Sequence, residues 1–134
     1  MARPVPEHVA KWNDTARPYP RDAALPQLFE AQVGRTPAAP ALTGSGTTLT
    51  YRELSGRADS FAHVLRNENG VRPGARVALL LDRSVEAVVG VWAVLKAAGA
   101  YVPLDPEHPT ARLQETVDRA GASPPPAQRD VPRR

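Results

Sequence analysis

The spacing of apolar residues changes along the chain, and each change marks an element. Leu25, Leu28, Phe29 and Val33 recur at helical intervals, Pro26 suits a first helical turn, and Gly34, Thr36 and Pro37 close the run. Residues 41–42 and 47–49 read as two short strands, joined by Gly44-Ser45-Gly46 as a hairpin turn. Thr50 with Glu53 three residues on forms a capping box, in which each side chain satisfies the other's free backbone N–H. Tyr51, Leu54, Ala58, Phe61, Ala62 and Leu65 then make an apolar stripe, and Gly70, Pro73 and Gly74 end that helix.

Residues 76–81 form an apolar run without strict alternation, the pattern of a strand covered on both faces. A helix starts at residues 82–84 and runs to about Ala98; it is apolar nearly all round, so it should be buried. Its small residues Gly90, Ala93 and Ala97 form a stripe that another backbone can approach closely. Residues 95–109, LKAAGAYVPLDPEHP, combine a helix end, a buried strand at 100–104 and a proline-punctuated turn. Within that run Lys96 is expected over the last helical carbonyls, and Gly99 is the residue tolerant of the left-handed conformation. Strand, helix and strand at this length predict a right-handed βαβ unit with parallel strands. Pro109 begins a further helix, with Leu113, Val117 and Ala120 on one side. A third strand should follow, but the chain reads SPPPAQRDVPRR, and proline lacks the donor that a central strand needs.

Composition narrows the picture. The 134 residues suit one domain, but residues 1–20 and 121–134 each hold four of the 15 prolines. Both ends therefore read as tails, leaving about a hundred residues for a core, a marginal size. Of the net charge of +3, the segment 121–134 carries +2 through Arg129, Asp130, Arg133 and Arg134. The body lacks a basic face with interleaved aromatics, so nucleic-acid binding is not expected. With no cysteine and no apolar leader, a reducing, cytoplasmic setting fits. Residues 87–104 carry a single charge over 18 positions. Lys96 would sit at the middle of such a span at a cost of roughly 3 kcal/mol. Gly99 and Pro103 also break its second half, so no membrane association is expected.

Three pieces, in order, resemble the start of the adenylation domains of non-ribosomal peptide synthetases, within the acyl-adenylate-forming, AMP-binding ligases. Trp12-Asn13-Asp14-Thr15 with Tyr19-Pro20 is similar to the linker between a condensation and an adenylation domain. Leu49-Thr50-Tyr51-Arg52-Glu53-Leu54 resembles the family's first core motif, and residues 95–109 the second. Leu28-Phe29-Glu30-Ala31-Gln32 and Arg35-Thr36-Pro37 also match the family's opening helix. The resemblance spans about residues 12–120. Two departures stand out: Pro40 replaces an aliphatic residue entering the first strand, and His108 replaces a commoner tyrosine.

The resemblance implies an α/β fold, a partial N-terminal subdomain of the adenylate-forming ligases, with a small hairpin and a βαβ unit of an incomplete parallel sheet. It implies residues 1–20 as linker and 21–120 as a truncated adenylation subdomain, while the proline content of residues 121–134 reads as a disordered Pro/Arg tail. The parent reaction would be attack of an amino acid carboxylate on ATP with Mg2+, then transfer to a carrier-protein thiol. In the family the phosphate loop with its lysine, the substrate pocket and the catalytic lysine lie downstream. No catalytic, cofactor-binding or metal-binding residue is therefore expected here, and ATP and Mg2+ belong to the parent family. The expected partners are condensation or adenylation domains of a synthetase.

Candidate chemistry elsewhere reads as structural. Residues 43–48, TGSGTT, have a phosphate loop's composition but precede no helix-borne lysine, since none lies between Lys11 and Lys96. His8, His63 and His108 lack metal-ligand spacing. Asp82 and Glu86 suit a helix N-terminus, and Asp105 a turn hydrogen bond. Trp12 suits either an intramolecular plug or a docking anchor. The leading expectation is thus an adenylation fragment inactive alone. A non-catalytic interaction module is the alternative, and a complete small enzyme the third reading.

Overall fold

A computed structural model of the chain describes residues 6–44 and 46–123. Helix α1 (Glu7–Trp12) buries no residue, and an irregular stretch leads from it to α2 (Leu25–Arg35). The hairpin β1 (Pro40–Gly44) and β2 (Thr47–Thr50) is antiparallel, with its register interrupted between Pro40 and Leu42. Then come α3 (Tyr51–Asn67), β3 (Arg76–Leu80), α4 (Val85–Lys96), β4 (Ala100–Leu104) and α5 (Thr110–Ala120). Strands β3 and β4 pair in parallel, from Arg76 opposite Ala100 to Leu80 opposite Leu104, as the βαβ reading requires.

The helix starts follow local chemistry. The Thr50 hydroxyl accepts from the Glu53 N–H at 3.3 Å, while the Glu53 carboxylate accepts from the Thr50 N–H at 2.8 Å. The Ser84 hydroxyl likewise accepts from the Ala87 N–H at 3.2 Å and sets the start of α4. At α2 the N-cap is Ala24, and the Gln27 side chain accepts from the Ala24 N–H at 2.8 Å.

Burial divides between two clusters. The inner one joins Phe61, Ala62 and Leu65 of α3, Val77 and Leu79 of β3, and Ala93, Val94 and Ala97 at the end of α4. The outer one joins Phe29 of α2, Leu49 of β2, Leu54 of α3, and Val85 and Val89 of α4. Gly90 faces β3 and the residue after it closely, since an added Cβ would lie 3.6 Å from a Leu79 methyl and 3.2 Å from a Leu81 methyl. The small stripe of α4 is therefore a contact surface.

Two expectations need correction, the burial of the second parallel strand and the start of the C-terminal tail. The strand at 100–104 is not buried: only Leu104 is, and Tyr101 is 42% exposed. Tyr101 and Pro103 lie opposite Val77 and Leu79, but α3 and α4 cover β3, and β4 is the edge among the described residues. The stripe of α2 is only partly covered, because Leu25 and Leu28 are exposed. Within the segment 1–20, α1 forms one short helix. Finally, residues 121–123 continue the architecture. Gly121 ends α5 in the left-handed conformation, and Ser123 bridges Val77 in parallel on the side of β3 away from β4. The remaining residues of the expected tail, 124–134, lie outside the described residues.

Candidate functional site

The run at 95–109 places two groupings of polar side chains, one at each end. At its start, Lys96 does not cover its own helix carbonyls. A helical side chain points back toward the N-terminus of its helix, so the Lys96 stem reaches α3 and α2 instead. Its ammonium donates to Ser55 Oγ and to Asp59 Oδ1, both at 2.8 Å, and forms an ion pair with Glu30. It also lies 5.5 Å from the centre of the Phe29 ring. Its side chain is 7% exposed, so this is a buried charge with a full set of partners. The carbonyl of Lys96 is satisfied by the Arg66 guanidinium of α3 at 3.0 Å.

The turn out of α4 also differs from expectation. Ala98, not Gly99, takes the left-handed conformation, at φ 59°. Gly99 is needed for space instead. A Cβ there would lie 3.1 Å from the Ala75 carbonyl oxygen and 3.1 Å from a Val94 methyl.

At the other end of the run, a cleft of about 570 Å³ opens at the carboxyl ends of β3 and β4, against α5. Open parallel sheets place ligands at that end of their strands. Asp82, Arg83, Asp105, Glu107, His108 and Arg112 line it, exposed residues that include charges of both signs. Asp105 is committed to the turn, as Oδ1 accepts from the Glu107 N–H at 2.9 Å. Glu86 lies in the first turn of α4.

The segment at residues 43–48 does not have the geometry of a phosphate loop. The glycine- and threonine-rich segment is an antiparallel hairpin with Thr43 and Thr48 hydroxyls 3.0 Å apart, not a strand opening into a helix N-terminus. Among the described residues no group of three or more His, Asp or Glu side chains is placed to hold a metal ion. His8 packs edge-on against Trp12 at 5.3 Å, His63 contacts Asn67, and His108 lies in the cleft wall, so the three are not brought together. Among the described residues no helix is long and apolar enough to cross a membrane.

Sequence reasoning missed the roles of Glu30, Ser55 and Asp59. One signal was present: Ser55 is a polar residue beside Leu54 on the buried side of α3, one turn before Asp59.

Against known proteins, the family described as AMP-binding enzyme matches residues 29–124. Tyrocidine synthase 3 of Brevibacillus parabrevis is 47% identical over 110 residues, which cover 82% of this chain and 2% of that protein. The chain thus spans a small part of the length of the curated relatives it matches. A crystal structure of the nonribosomal peptide synthetase FmoA3 bound to alpha-methyl-L-serine-AMP superposes with a TM-score of 0.76 at 41% identity. That match covers 84% of this chain and 13% of the other. The N-terminal subdomain of Klebsiella oxytoca NpsA gives a TM-score of 0.69 at 32% identity, over 74% of this chain and 26% of the other.

Proposed function

This chain belongs to the AMP-binding enzymes as a piece of a nonribosomal peptide synthetase adenylation domain, and from that premise we propose that it serves as scaffold for amino acid activation. The parent reaction forms an aminoacyl-adenylate and pyrophosphate from an amino acid and ATP, then passes the acyl group to a carrier-protein thiol. The observation that carries this reading is the shared fold and 41% identity with a synthetase whose structure holds an aminoacyl-adenylate. In this reading the chain's own residues build the frame: the capped helix α3, the buried Lys96 and the close-packed Gly99 fix β3 and β4. The phosphate cradle and the amino acid pocket come from other parts of the domain. The described residues would therefore not catalyse adenylation by themselves.

The test is ATP–pyrophosphate exchange. The purified chain is expected to give none above background with any proteinogenic amino acid. A chimera carrying residues 29–124 in place of the matching segment of a tyrocidine synthase 3 adenylation domain is expected to retain that domain's exchange. Amino-acid-dependent exchange by the chain alone, or a folded but inactive chimera, would overturn the reading.

A second reading rests on the N-terminal segment. Trp12 is 73% exposed and Tyr19 is 65% exposed, so neither plugs the body of the chain. As part of a linker spanning residues 1–20, they suit docking onto a condensation domain or a complementing adenylation fragment. Loss of capture by a condensation domain on Trp12→Ala supports this; capture unchanged by that substitution counts against it.

A further inference from the structure

We infer that α2 is a strap held by a latch at Lys96, and that it opens from the α3–α4 body as one unit when the latch is released. The burial of α2 is slight. Phe29 is its one buried residue, Val33 is half-buried, and Leu25 is 61% exposed. The inner cluster of α3, β3 and α4 contains no residue of α2, so that core does not depend on it. Weakly buried elements of this kind occupy the low end of local stability.

The attachment concentrates at two adjacent residues. The Phe29 ring stacks on Trp92 of α4, with centroids 4.1 Å apart and planes 20° from parallel. Glu30 pairs with the Lys96 ammonium, which also sits over the Phe29 ring. One buried cation therefore touches both contacts of the strap, while Phe29 is also packed among Leu49, Leu54, Val85 and Val89 of the outer cluster.

The latch can open without disrupting the body. When Glu30 leaves, the ammonium keeps Asp59 and Ser55, both on α3, so no unpaired charge remains behind. The Glu30 side chain is 51% exposed even when docked, so it regains water easily. The backbone ties that follow α2 begin just beyond its end, where the Arg52 N–H donates to the Pro37 carbonyl and the Tyr51 N–H to the Ala39 carbonyl. Thr36, the residue after the helix, is thus the hinge, and opening swings α2 together with the irregular stretch and α1 before it.

Hydrogen–deuterium exchange of the full chain, read by peptide, tests this. Glu30→Gln is expected to raise exchange across α2 by about tenfold, the scale of one charged hydrogen bond. Exchange in α3 and α4 should stay unchanged. The unsubstituted chain in 1 M NaCl should show a smaller rise confined to α2, because a pair with one buried partner is screened less than an exposed one. The inference fails if α2 does not respond to either change. It fails equally if α2, α3 and α4 exchange together, whether in the variant, in salt or in the starting chain.

Discussion

The two sides of the parallel strand pair carry the same kind of apolar pattern and come to different ends. On the inner side, Phe61, Leu65, Val77 and Val94 are nearly inaccessible, each of them 1% exposed or less. On the other, α5 presents Leu113, Val117 and Ala120 in a clear stripe, yet these are only half-buried and α5 buries no residue fully. Periodicity therefore states which face of an element is apolar, and the neighbouring elements decide whether that face is covered. Truncation at each stripe separates the cases most sharply. Phe61→Ala should lower stability in urea unfolding by about 3–5 kcal/mol, because it removes a ring from a closed cluster. Val117→Ser should cost below about 1 kcal/mol and should raise solubility, because it makes a half-covered apolar face polar. Equal losses at the two positions would show that α5 is packed in solution and would break the comparison.

Glycines extend the contrast at a smaller scale. Gly99 joins α4 to β4 against the Ala75 carbonyl, a backbone atom that cannot move aside freely. Gly99→Ala should lower the thermal midpoint, by an amount equivalent to about 1–3 kcal/mol. Gly34 is helical, has a negative φ and no neighbour within 4 Å of an added Cβ. There, Gly34→Ala should stabilise by about 0.4–1 kcal/mol through the unfolded chain. A gain at Gly99 would mean that β4 is not held against the Ala75 loop.

Much of this frame is legible in residue order, for reasons that can be stated. The start of α3 is a local event, decided by Thr50 and Glu53 alone, and Asp105 turns the chain through its own side chain. The parallel pair follows from one strand, one helix and one strand in succession. What was not legible depends on distant residues. Exposure of β4 depends on which strands flank it, and the fate of Lys96 on carboxylates 66 and 37 positions away along the chain. The reading of Lys96 as a terminal cation failed because helix geometry sends its stem backward, where α2 and α3 supply Glu30, Ser55 and Asp59. The left-handed residue was placed at Gly99 on residue type alone, whereas the turn puts Ala98 there. The isolated bridge at Ser123 was hidden because the prolines after it dominate the composition.

The smallest expected effect concerns the entry to α3, which joins the hairpin to the closed side of the molecule. The Thr50 N–H holds the Glu53 carboxyl below the usual carboxylate range, with further help from the Thr50 hydroxyl and then from Arg57. A carboxylate whose folded pKa is depressed adds stability that is present above its unfolded pKa. That stability is lost as the pH falls through the folded value. Removing the cap by Thr50→Ala should cost about 1 kcal/mol at neutral pH. Glu53 is fully exposed, so its own share should be slight and visible only as a slope. Urea midpoints measured from pH 7 down through the carboxylate range should fall less steeply for Glu53→Gln than for the starting chain. The two curves should converge at the acid end, where the native carboxyl is protonated and its hold on the Thr50 N–H is weakened. Parallel curves across that range would mean that the box is occupied only part of the time and that Thr50 alone starts the helix.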